Sequence, residues 1–130
     1  MIRLFLTFLL ILTISTGNAK ENKLTITKKK VELIITERTS ETQLKKFKKA
    51  LKEEANIDFD YKDIILDFKN QIRKITITVD SNDGVKGTGS LLISNIYNVG
   101  FVRNYEIIND SSGEEPLIIG NISEKEIKLD

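Results

Sequence analysis

Six carboxylates crowd one short stretch of this chain: Glu53, Glu54, Asp58, Asp60, Asp63 and Asp67. Asp58 and Asp60 fall on one face of an alternating segment, about 7 Å apart by the rise of a strand. Two carboxylates so placed can divide acid and base roles, or join Asp63 in holding a hard cation such as calcium. The plainer reading, and the favoured one, is the wet face of a half-buried strand. Asp80-Ser81-Asn82-Asp83-Gly84 superficially resembles a calcium loop. Its register fails: with Gly84 at the sixth position, the first ligand falls on Val79 and the twelfth on Ser90.

Five lysines form the second candidate site: Lys45, Lys46, Lys48, Lys49 and Lys52. They could meet phosphate, nucleic acid or an anionic membrane. Nothing aromatic is interleaved on that face to stack bases, so nucleic acid is not the expected partner. The favoured reading is the solvated face of a one-sided helix. The chain has no His and no Cys. Ser–His and Cys–His nucleophilic catalysis are therefore excluded within this chain, as are zinc sites built from those residues. Gly84, Gly87 and Gly89 do not precede a helix, so no phosphate loop is indicated. No cofactor is implied.

These residues need elements to hold them. Lys23–Thr36 alternates with period two and reads as extended, with Lys28–Lys30 either a turn or a solvated stretch of strand. Ser40 and Gln43 make a capping box, and Leu44, Phe47, Leu51 and Ala55 recur at helical spacing. The helix is placed at Glu41–Ala55, with Asn56 as its stop. The lysines occupy the arc opposite the apolar stripe. Ile57, Phe59 and Tyr61 begin a strand, and a second alternation, Ile64, Leu66 and Phe68, runs to Asn70. Lys69–Arg73 reads as a turn, and Ile75, Ile77 and Val79 as a strong strand. Asp83-Gly84 signals a hairpin through two residues that tolerate positive φ. Val85–Ser94 is the returning strand.

Beyond Asn95 the pattern weakens. Val99–Ile108 reads as a further strand, Asn109–Glu115 as a loop, and Leu117–Ile119 as a short strand or packed tail. The expected fold is α+β: one helix packed on a mainly antiparallel sheet, in the order β-α-β-β-β, with an extension over residues 96–130. The opening β–α–β is read as a parallel, right-handed pair.

Charge is uneven along the chain. Lys20–Lys52 carries eleven Lys/Arg against four Asp/Glu, and Glu53–Asp130 carries eight against fifteen. The two regions could steer a charged partner; the favoured reading is that they face each other or are merely solvated.

The first 19 residues read as an export signal. Arg3 supplies the positive end, Leu4–Ile14 an apolar run, and Gly17 and Ala19 the small residues that signal peptidase accepts. This run of eleven residues, two of them Thr, falls well short of the ~20 that span a bilayer as a helix. Cleavage after Ala19 would leave one domain, of which residues 20–95 form the main body, in the periplasm or outside the cell.

Parts of the mature chain look familiar. These are Ile35-Thr36, the run Thr42–Glu54, Ile57-Asp58-Phe59-Asp60-Tyr61, Ile72–Ile77 and Lys86-Gly87-Thr88-Gly89-Ser90. Together they resemble a module that follows the membrane region of BlaR1-like metallopeptidases of Bacteroidetes. The likeness covers under half of the chain. It implies a periplasmic setting and a role beside sensing or signalling proteins of the inner membrane. The family's His-Glu-x-x-His has no counterpart here, so no peptidase activity and no catalytic residue carries over. The sequence as a whole points to an exported, non-enzymatic module that binds another envelope protein through a sheet edge or its lysine face. The alternative is a small carboxylate-dependent calcium-binding protein or enzyme.

Overall fold

The computed structural model describes residues 22–94, 96–107 and 115–122. The proposed leader, Met1–Ala19, lies outside the described residues, as does most of the Asn109–Glu115 loop. In chain order the elements are β1 (Lys23–Ile26), β2 (Lys30–Ile35), α1 (Glu41–Ala55), β3 (Asp58–Leu66), β4 (Ile72–Asp80), β5 (Lys86–Leu92), β6 (Val99–Asn104) and β7 (Leu117–Asn121). Among the described residues no helix is long and apolar enough to cross a membrane.

The strands form two sheets. One has the order β1-β2-β6-β7 and the other β3-β4-β5, and every pairing is antiparallel. The α+β architecture expected from the sequence is present, but not the parallel β–α–β opening. β2 and β3, on either side of the helix, belong to different sheets. The helix lies against β3 and β1, while β5 lies along β7 on the other side. One core therefore fills the space between both sheets and the helix.

Alternation builds that core. Val31, Leu33 and Ile35 from β2, Ile75, Ile77 and Val79 from β4, and Phe101 from β6 are buried. Phe59 of one sheet and Phe101 of the other meet with ring centroids 6.2 Å apart. The helix contributes Leu44, Phe47 and Leu51. Burying side chains of this size stabilises the fold by roughly 1.5–3 kcal/mol each relative to exposure.

The helix ends as its sequence dictates. The Gln43 N–H donates to Ser40 Oγ at 3.1 Å, and the Ser40 N–H donates back to Gln43 Oε1 at 2.8 Å. At the other end Asn56 takes the left-handed conformation, φ 57°, and the Ile57 N–H caps the Leu51 carbonyl at 3.0 Å.

The stretch beyond Asn95 contributes more than its weak pattern signalled. β6 sits between β2 and β7 in the four-stranded sheet. Gly100 makes that position possible: a Cβ there would lie 1.8 Å from the Leu33 carbonyl oxygen.

Candidate functional site

The two candidate sites read from the sequence lie side by side, and each meets the other. α1 runs next to β3, an edge strand. Lys52 Nζ lies 3.0 Å from Asp58 Oδ1, and Lys48 pairs with Asp60. Asn82 donates to Asp58 Oδ2 at 3.0 Å. Hydrogen bonds from Lys52 and Asn82 hold the Asp58 carboxyl below its ordinary pKa. The hydrogen bond to Asp60 holds the Lys48 amine above its own. Lys49 faces Glu53 one helical turn on, at 3.8 Å. Lys45 and Lys46 are exposed, and among the described residues no ion pair holds either.

Asp63 does not join Asp58 and Asp60. It takes a left-handed φ of 55°, and the β3–β4 register shifts between Lys62 and Ile65. Such a bulge re-aims the residues that follow it. Among the described residues no three acidic side chains gather to hold an ion. Burial of the Tyr61 ring, and then the neighbouring Glu41 carboxylate, raises the Tyr61 pKa.

The sheet edges are each accompanied. α1 touches both β3 and β1, and β5 and β7 flank one another. Neither sheet therefore has an edge strand without a neighbouring element.

The same bulge has an effect the sequence did not signal. The second alternation, Ile64, Leu66 and Phe68, does not build a continuous buried face. Only Ile64 packs against the core; Leu66 is half exposed and Phe68 is 90% exposed. The left-handed turn at Asp63 breaks the period and sends the end of the strand outward. The following turn is held by Asp67, whose carboxylate accepts from the Lys69 N–H at 2.7 Å and the Gln71 N–H at 3.0 Å.

Strand pairing brings further apolar residues to this end. Ile65 stands opposite Lys74, and Lys74 opposite Leu92. Ile96 and Tyr97 follow in the β5–β6 connection. The large hydrophobic side chains exposed among the described residues are Ile65, Leu66, Phe68, Leu92, Ile96, Tyr97 and Ile118. Ile65, Leu92 and Tyr97 line a groove of about 570 Å³ with Glu37, Arg73 and Lys74. No ion pair within 4.0 Å joins Glu37 to either cation among the described residues.

A third cluster was also missed. Arg103 is buried, and its guanidinium meets Ser81 Oγ at 3.0 Å, the Asn104 carbonyl at 2.9 Å and the Asp83 carboxylate at 2.7 Å. The Tyr105 ring lies 4.4 Å from its Cζ. Its donors are engaged by the protein itself, so this cluster is a structural pin. Asp83 therefore does not serve as a left-handed turn residue: Asn82, φ 57°, and Gly84, φ 96°, do.

The apolar end is thus the surface best suited to act on another molecule. Comparison with known proteins finds no matching family, no matching curated sequence and no matching solved structure.

Proposed function

We propose that this chain is an exported, non-enzymatic protein-binding module of the cell envelope, and that its binding surface is the groove lined by Ile65, Leu92 and Tyr97. The observation that carries this reading is the groove between the end of β3 and the β5–β6 connection, where the exposed side chains of Ile65, Leu92 and Tyr97 come together. Apolar area gives affinity, and the flanking Arg73, Lys74 and Glu37 give orientation. Export rests on the leader-like composition of Met1–Ala19. The likeness to the periplasmic module of BlaR1-like proteins supports the same compartment. The lysine face becomes secondary, because Lys48 and Lys52 are engaged by Asp60 and Asp58.

The test is a photo-reactive amino acid placed at Tyr97 in the full chain, expressed with its leader in its own host. A discrete protein adduct in the envelope fraction is expected, together with a mature N-terminus at Lys20 by mass measurement. Leu92→Glu abolishes the adduct if the apolar end is the surface. An intact N-terminus with the protein in the cell interior, or an adduct pattern unchanged by Leu92→Glu, overturns the reading.

A further inference from the structure

Resting on that reading, the groove has a regulator in the same chain. We infer that residues 123–130 dock in the groove lined by Ile65, Leu92 and Tyr97, and that a partner must displace them to bind. Three observations carry this.

The first is where β7 leads. It runs antiparallel to β6 with Asn121 opposite Val99, and the Ile122 N–H then donates to the Asn98 carbonyl at 2.9 Å. Residues 123–130 lie outside the described residues and follow directly. One further step in the same direction is level with Tyr97, a wall of the groove. The segment therefore starts at the edge of the groove, beside the β5–β6 connection that also gives it Ile93 and Ser94.

The second is reach. Ile65 stands opposite Lys74, and Lys74 opposite Leu92, so the groove crosses three strands. Two strand spacings amount to about 10 Å. The seven residues that follow Ile122, as far as Leu129, extend up to about 23–25 Å. A segment on so short a tether presents itself at about millimolar effective concentration, so a few apolar contacts suffice to hold it.

The third is pattern. Ile127 and Leu129 fall two residues apart, which puts both on one face of an extended segment. They are the apolar anchors for Ile65 and Leu92. Glu124, Glu126 and Asp130 share the other face with Lys128. Their sign suits Arg73 and Lys74, which no ion pair within 4.0 Å engages among the described residues. A segment that holds the groove about nine-tenths of the time weakens a partner about tenfold, because only the open fraction binds.

The chain has no cysteine, so Lys128→Cys gives a single attachment point for a nitroxide label. The full chain, expressed with its leader and purified from the envelope fraction, is labelled there and read by amide NMR. Strong relaxation is expected at Ile65, on the far wall of the groove, and none at Lys28, in the β1–β2 turn at the other end of the sheet. Adding Ile127→Glu/Leu129→Glu, or separately Leu92→Glu, abolishes the relaxation at Ile65. Circular dichroism verifies that each variant is folded. In the unlabelled chain, Ile127→Glu/Leu129→Glu raises the yield of the Tyr97 photo-adduct with a separate protein by up to about tenfold. Relaxation at Ile65 that never appears, or that survives the substitutions, overturns the inference. An adduct yield unchanged by release of the segment overturns it as well. Relaxation at Ile65 with no adduct in any variant removes the protein-binding reading while the docking itself holds, so the two failures are distinguishable.

Discussion

Arg103 of β6 donates from Nη2 to Asp83 Oδ2 at 2.7 Å, and this contact ties the β4–β5 loop to the opposite sheet. Ser81 takes part from the same loop: its hydroxyl accepts from Arg103 Nε and donates to Asp83. The Arg103 side chain is 7% exposed and that of Asp83 41%. The arginine is therefore the partner whose loss matters more. Arg103→Met would leave carbonyls and the Ser81 hydroxyl short of a donor. A loss of about 2–4 kcal/mol is expected from urea unfolding. Asp83→Asn keeps a polar acceptor at a wetter site and should cost about 1 kcal/mol.

The same pair sets a pH response. Burial pushes the Asp83 carboxyl up, but hydrogen bonds from Ser81 and Arg103 outweigh it, and its pKa lies below the ordinary value. A depressed folded pKa means that the contribution is complete above the unfolded pKa of about 3.9 and is lost as pH falls through the folded value. Stability should drop below about pH 4, and the drop should be smaller in Asp83→Asn. An acid limb identical in both proteins would show that Asp83 does not supply it.

Two glycines separate a backbone obstacle from a side-chain one. At Gly100 an added Cβ meets the Leu33 carbonyl oxygen at 1.8 Å, and a paired strand cannot step aside. Gly100→Ala should lose more than about 4 kcal/mol, or fail to fold. At Gly89 the Cβ meets Ile119 Cγ2 at 2.8 Å. Gly89→Ala should cost about 1–3 kcal/mol by overpacking, and Ile119→Ala in the same chain should return part of it. Thermal unfolding of the three variants distinguishes the cases, since no partner substitution at Leu33 can relieve the backbone clash at Gly100.

The helix was legible to the residue because its signals are local. Ser40, Gln43 and Asn56 act within one turn of themselves, and the stripe of Leu44, Phe47 and Leu51 needs no knowledge of its partner. The β4–β5 hairpin was legible for the same reason. What the sequence hid depends on distant residues. The split into two sheets is decided by which strand β2 finds, and it finds β6, some seventy residues on. The outward turn of Leu66 and Phe68 follows from a left-handed Asp63, a conformation that Asp tolerates without announcing. The candidate lysines and carboxylates were each visible, but their pairing across α1 and β3 was not.

That pairing gives a final expectation. Asp58 owes its lowered pKa first to Lys52 and then to Asn82. Lys52→Ala should raise the Asp58 pKa toward the usual carboxylate value, and Asn82→Ala should raise it by less, as read by carbon NMR titration. The Lys48 amine, held up first by its hydrogen bond to Asp60, should fall toward its usual value in Asp60→Asn. Calcium provides the chemical counterpart. A cation entering at Asp58 and Asp60 would first have to displace both ammonium groups, and Asp63 stands beyond the bulge. Calorimetry with calcium should therefore give no binding heat for the wild type. Freeing both carboxylates in Lys48→Ala/Lys52→Ala should yield weak binding at most, since two monodentate carboxylates fall far short of the six to eight oxygens that calcium takes. A strong wild-type heat, abolished by Asp58→Asn/Asp60→Asn, would show instead that the lysines yield to the ion.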